Sequence, residues 1–343
     1  MKKFFVSAVV ITVCFLSACG KSGGASSSAG SSSSGEKKKS YTLRFGHALT
    51  DKDIYNVYME KWAEDVKQAS DGGLIIEIYP SSQLGSEEDV LDQIRQGANI
   101  GWQTDFARLG TYVKGLSVVN APFFVDNLEE AMKLQTSETI KKLNDELATK
   151  FGIAHISFGW VQGQRHVFAN TIAKNPAEMQ GLLIRTAPAP IWVESVNALG
   201  CTATPLPYGD IYTGIQTKVV DGCELPYNAA NNIKLAEVTK YVMETGHIFQ
   251  LNAMVVSKAW LDKLPAEYQK ILMEACNKAG AEASQALAEQ TAASRQAMIQ
   301  GGVQVIERSE LDIPGFVKNS ASAYAALGLS DVRAQVYADI GKQ

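Results

Sequence analysis

Apolar and polar positions alternate from Tyr41 to His47 (YTLRFGH), the pattern of a strand with one face buried. Leu74 to Tyr79 (LIIEIY), bounded by Gly73 and Pro80, predicts a second strand. Between them Tyr58, Trp62, Val66 and Ala69 recur at three- and four-residue spacings, which predicts a helix over 55–69 with one apolar face. The alternation continues with a helix over Glu87–Arg95, a strand at Ile100–Trp102, a helix over Leu128–Lys150 and a strand at Ile153–Phe158. Strand, helix, strand in this order predicts an α/β architecture with parallel pairing and short connections.

The C-terminal third changes character. From Pro265 to Gln300 the chain is rich in Ala, Glu, Gln and Lys, interrupted only by Gly280 and ended by Gly301-Gly302. One continuous helix of roughly 50 Å follows at 1.5 Å per residue, with Gly280 costing ~1 kcal/mol of helix propensity. A helix of that length forms a coiled coil or ties two domains together, and the heptad pattern here is weak.

The N-terminus is different again. Lys2 and Lys3 precede an apolar run from Phe4 to Leu16, too short for a span that needs about 20 residues, so the stretch predicts an export signal over 1–18. Leu16-Ser17-Ala18-Cys19 resembles a bacterial lipobox, in which Cys19 takes the lipid and becomes the mature N-terminus. Residues 19–40 then form a Gly/Ser-rich tether. Its Gly20-Lys21-Ser22-Gly23-Gly24 matches the letters of a hydrolase elbow without the strand and helix that motif needs. Localisation outside the cytoplasm, lipid-anchored to a bacterial membrane, is the expectation.

Composition narrows the function. In 343 residues, 46% hydrophobic content excludes global disorder, and a formal net charge of -4 gives no footprint for nucleic acid. Cys201, Cys223 and Cys276 form no C-x-x-C and the four His are scattered, so neither a metal site nor a cofactor is expected, and the thiols read as small buried hydrophobes. No metalloprotease, P-loop or dinucleotide motif is present, and nothing selects a catalytic triad.

Two arginines stand out instead. Arg165 follows Gly163-Gln164, and Arg185 ends the aliphatic run Leu182-Leu183-Ile184. A guanidinium at the end of a buried strand needs a carboxylate, either a structural Asp or Glu or that of a ligand gripped by two parallel hydrogen bonds.

Around them lie Tyr79-Pro80-Ser81-Ser82-Gln83-Leu84-Gly85, Gly181 to Arg185 (GLLIR), Pro205-Leu206-Pro207-Tyr208 and Gln216 to Gly222 (QTKVVDG). Together and in this order, over roughly Tyr41 to Gly301, they make the chain similar to the DctP-type solute-binding proteins of tripartite ATP-independent periplasmic (TRAP) transporters. The resemblance implies a two-lobed α/β clamp with a ligand cleft between lobes and the long helix braced across both. Lobe I would comprise 41–162 plus 251–290, and lobe II 163–250 plus 291–343. It implies a monomeric receptor, not an enzyme, that captures a small organic acid and hands it to membrane subunits driven by an ion gradient. The alternatives are an anchored enzyme acting on such an acid, or a ligand-presenting sensor.

By the same resemblance Arg185 is the carboxylate anchor, Arg165 a second arginine and Tyr208 an aromatic wall. Glu87, Asp105 and Arg108 reach the ligand from the first lobe, with Asn228 and His47 as further polar candidates. Leu225 replaces an Asn of the sialic-acid-binding relatives, which argues against sialic acid and tilts the expectation toward a uronate or aldonate.

Overall fold

The computed structural model describes residues 40–342. The signal, Cys19 and tether expectations on 1–39 lie outside the described residues. The first half runs β1 (Tyr41–Gly46), α1 (Ile54–Ala69), β2 (Leu74–Tyr79), α2 (Glu87–Arg95), β3 (Ile100–Asp105), α3 (Phe106–Leu109), α4 (Leu128–Lys133), α5 (Glu138–Phe151) and β4 (Ile153–Ser157). The middle comprises β5 (Val161–Ala169), β6 (Leu183–Thr186), α6 (Pro190–Ala198), β7 (Thr202–Pro205), α7 (Ile211–Gln216), β8 (Gly222–Leu225) and α8 (Tyr227–Asn232). The chain closes with β9 (Tyr241–Ser257), α9 (Lys258–Leu261), α10 (Ala266–Gln300), β10 (Gln304–Ile306), α11 (Ile313–Ala326) and α12 (Ser330–Ile340).

The strands follow the order β2-β1-β3-β9-β5-β8-β6-β7, with β4 and β10 also pairing β9. In the first half β1 pairs parallel with β2 and β3, and in the second β6 pairs parallel with β7 and β8, while β5 runs antiparallel to β8. The 17-residue β9 joins the two halves: it runs antiparallel to β3 through 252–256 and antiparallel to β5 through 241–251. One strand therefore belongs to both halves, and the protein is a two-lobed α/β structure in which the lobes share β9 and α10.

Sequence periodicity and packing mostly agree, with three differences. The buried face of α1 is Tyr55, Met59, Trp62 and Val66, while Ala69 is exposed, because the helix turns toward α10, where Trp62 Nε1 donates to Leu272 O at 3.2 Å. The helix expected over 128–150 is interrupted at Ser137, whose hydroxyl accepts from Ile140 N as an N-cap and donates to Asp339 at 2.6 Å. That same bond, with Thr139 N to Asp339 (2.8 Å) and Tyr337 Oη to Phe124 O (2.8 Å), fixes α12 against first-lobe elements. Residues 330–340 thus pack beside 124–139, a stretch far away in sequence.

The long helix is continuous for 35 residues. It meets α1 at one end and α8 at the other, where Asn228 Nδ2 donates to Leu287 O at 3.2 Å, and Ser284 Oγ joins it to Gly159 O at 2.7 Å. Gly280 is a contact point: a Cβ there would lie 2.6 Å from Trp160 Nε1 and 3.0 Å from the Gly159 carbonyl carbon. Cys201, Cys223 and Cys276 are free and buried, and burial pushes each thiol up to about 12.

Candidate functional site

Strand order explains how the two arginines meet. β8 lies between β5 and β6, so Glu224 on β8 sits between Arg165 and Arg185, opposite Val167 on one side and next to Cys223, the partner of Arg185, on the other. Glu224 is fully buried. Arg165 grips it through Nε and Nη2 (2.8 Å to Oε1), and Thr186 Oγ1 donates to Oε1 at 2.7 Å. Nη1 of Arg165 donates to Gln250 Oε1 at 2.6 Å, and the guanidinium lies 4.5 Å over the Trp192 ring. Gln162 and Arg165, three residues apart on a strand, line the same cavity because the β5–β9 register slips between Val161 and Gly163, with Gly163 at φ +86°.

Arg185 is placed differently. Its side chain is 2% exposed, its Nε donates to Leu206 O at 2.8 Å, and among the described residues no carboxylate comes within ion-pair distance of it. Burial, then repulsion from Arg165 and Arg108, lowers its pKa to about 10 against the opposing pull of Glu224.

The first lobe supplies the facing wall. Asp105 ends β3 and caps α3: its Oδ1 accepts from Arg108 N (2.8 Å) and Trp192 Nε1 (3.2 Å), and its Oδ2 from Arg108 Nη1 (2.5 Å). Glu87, the first residue of α2, accepts from Thr104 Oγ1 and stands 3.3 Å from Arg108 Nε. Glu88 approaches Arg108 at 3.5 Å from the rim. Burial pushes Glu87 up to about 7 despite Arg108, with Asp105 and Glu88 adding to the rise. On Arg108 burial is outweighed by Glu87 and Asp105, so its guanidinium is held above its usual range.

Glu87, Asp105, Arg108, Arg165, Arg185 and Tyr208 line one small cavity of about 70 Å³. His47 and Asn228 do not line it. His47 is fully buried, hydrogen-bonded to Asn56 at 3.0 Å and held neutral because burial lowers it to about 4, so it offers an anion no charge. Asn228 turns toward α10 instead. Sequence reasoning missed Trp192, Gln162, Gln250 and Asn252 on the cavity wall and Glu224 behind it. Glu224 had a signal: a carboxylate inside the apolar strand Gly222-Cys223-Glu224-Leu225 requires a buried cation. Among the described residues no His, Cys, Asp and Glu cluster could hold a metal ion, and no helix is long and apolar enough to cross a membrane.

The model of the family described as bacterial extracellular solute-binding protein, family 7 (DctP), matches residues 45–330. The chain belongs to this family. It is similar to the 2,3-diketo-L-gulonate-binding periplasmic protein YiaO of Escherichia coli, 27% identical over 279 residues that cover 80% of this chain and 83% of that protein. It is also similar to the C4-dicarboxylate-binding periplasmic protein DctP of Rhodobacter capsulatus, 27% identical over 261 residues, 76% of this chain and 78% of that one. A TRAP periplasmic solute-binding protein of Actinobacillus succinogenes, solved with bound L-galactonate, superimposes with a TM-score of 0.82 at 26% identity, covering 88% of this chain and 99% of that one. The protein is a TRAP-type extracytoplasmic solute-binding receptor.

Proposed function

We propose that this receptor captures a hydroxylated monocarboxylic acid, an aldonate or uronate, with Arg185 as the carboxylate anchor, Arg165 beside it and Tyr208 as a wall. The observation that carries the reading is the asymmetry among the three cavity arginines: Arg165 and Arg108 are paired with buried carboxylates, whereas Arg185 has only a backbone carbonyl. A buried cation without a counter-ion is costly, and a ligand carboxylate arriving in a planar two-bond contact relieves that cost. At ~4 Å a unit charge pair is worth roughly 4 kcal/mol at an effective dielectric of 20, against ~1 in water, before desolvation and ordering costs.

The cavity of about 70 Å³ is lined by residues of both lobes, so a six-carbon acid would enter as the lobes part. The shared strand β9 and the crossing helix α10 are the elements about which such opening would turn. Closure then follows only from the ligand's differential affinity for the closed form. The closed receptor delivers its acid to TRAP membrane subunits, and the Leu16-Ser17-Ala18-Cys19 sequence supports a lipid tether at Cys19 that keeps a monomeric receptor near them.

A thermal-shift series with D-galactonate, D-galacturonate and the neutral sugar D-galactose tests the ligand class. Either acid at 100 times its Kd stabilises the fold by ~2.7 kcal/mol through mass action, and the neutral sugar does not. A shift with galactose and none with the acids would overturn the proposal.

A further inference from the structure

The cavity carries opposite charge on its two walls. The second-lobe wall presents Arg185, unpaired among the described residues, and Arg165, paired with Glu224 behind it. The first-lobe wall presents Glu87 and Asp105 sharing the single guanidinium of Arg108, with Glu88 also drawn to it from the rim. Resting on the reading that the acid end docks at Arg185, we infer that this acidic wall is a selectivity filter: it accepts the hydroxyl end of a monoacid and rejects a second carboxylate.

The chemistry differs between the two carboxylates. Asp105 is committed, since its oxygens already take Arg108 N, Trp192 Nε1 and Arg108 Nη1. Glu87 has one oxygen on Thr104 Oγ1 and the other 3.3 Å from Arg108 Nε, so lone pairs remain for a ligand hydroxyl. A terminal CH₂OH can donate to Glu87, while a terminal carboxylate brings only acceptors and a like charge into a space from which closure removes water. Repulsion between like charges brought together in this way costs several kcal/mol.

A diacid has one route past the filter, which is to bind together with a proton. The groups facing Glu87 are Glu88 on its own helix, Thr104 and Asp105 on β3 and Arg108 on α3, with Arg165 and Arg185 across the cavity. Burial against this set already brings Glu87 up to about 7 in the empty cavity, and an incoming second carboxylate adds to the rise. Protonated Glu87 becomes a donor to that carboxylate. Diacid affinity therefore increases as pH falls from 8 toward 7, by at most about tenfold per pH unit for one proton taken up, and levels off toward pH 6.

The test compares D-galactonate with galactarate, which share a carbon skeleton and differ at one end in CH₂OH against carboxylate. Calorimetry on the intact chain at pH 7.5 and at pH 6 gives both affinities for the wild type and for Glu87→Gln. We expect galactonate to be preferred by about tenfold at pH 7.5, because taking up a proton there costs the diacid only about threefold and the rest is the hydroxyl's bond to ionised Glu87. That ratio should fall to about one in E87Q, and should fall in the wild type at pH 6. Equal affinities at pH 7.5, or a preference unchanged both by E87Q and by pH, would overturn the filter while leaving the monoacid reading standing. Binding of neither acid would overturn that reading itself. If E87Q does not fold, the wild-type pH series decides alone.

Discussion

Replacing Arg185 with Lys keeps the charge and removes the planar fork, which makes it the sharpest probe of the site. In the wild type Nε is spent on Leu206 O at 2.8 Å, which holds the guanidinium with its two terminal nitrogens free of any carboxylate among the described residues. A lysine ammonium carries its three donors on one nitrogen at the end of a flexible stem, and cannot hold that carbonyl while meeting both ligand oxygens in the planar geometry of the fork. Loss of one charge-assisted hydrogen bond costs about 1.5–3 kcal/mol, which is a rise of about 10- to 150-fold in Kd for the acid. Stability should change less, because among the described residues the hydrogen bond given up is the one to Leu206, about 1 kcal/mol. Calorimetry with D-galactonate measures the first quantity and denaturant unfolding of the ligand-free protein the second. An R185K protein that folds normally and binds within about threefold of the wild type would refute the assignment of Arg185 as a bidentate anchor, and a loss of affinity matched by an equal loss of stability would make its role structural.

The other substitutions separate binding from folding in different ways. Arg165→Ala leaves Glu224 buried without its cation, so the unfolding free energy should fall by about 3–5 kcal/mol, and a second change, Glu224→Gln, should recover part of that loss in denaturant melts. Gly280→Ala gains ~1 kcal/mol of helix propensity yet drives a methyl into Trp160 and the Gly159 backbone. We expect net destabilisation of about 1–3 kcal/mol by denaturant melt, and a stabilised variant would show that α10 and the segment 159–160 can move apart freely. His47 and His166 are buried and His155 is half-buried, with pKa values lowered by desolvation to about 4, and burial holds His247 well below its usual value. The unfolded chain binds these protons below about 6.5 and the folded chain does not, so stability is complete above pH 6.5 and falls by about 1.4 kcal/mol per pH unit per histidine as pH drops toward 4. Melting temperatures that stay flat from pH 7 to 5 would contradict this burial.

Which parts of the molecule were legible in the sequence follows from the range of the interactions involved. Strands β1 and β2 and helix α10 announce themselves because a half-buried strand and a helix impose periods of two and 3.6 on their own residues. The break at Ser137 does not, since its cause is Asp339, some two hundred residues later. The face of α1 was misplaced for a similar reason: Tyr58 and Ala69 satisfy the period, but α10 decides which stripe is covered. β9 was not anticipated, because a strand buried in two lobes and interrupted by Gly246 at φ +52° shows neither alternation nor a clean apolar run.

The site divides along the same line. Residue chemistry alone marked Arg165 and Arg185 as strand-end cations in need of carboxylates, and the motifs around them marked Tyr208, Glu87, Asp105 and Arg108. The sequence by itself thus determined the α/β class and the long helix, since these depend on patterns within a few residues. Tertiary structure decided that Arg165 has its carboxylate in Glu224 while Arg185 has none among the described residues, that His47 and Asn228 face elsewhere, and that Gly280 serves close packing. Those outcomes depend on sheet order and on burial, which set the distance between charges and the cost of leaving one unpaired.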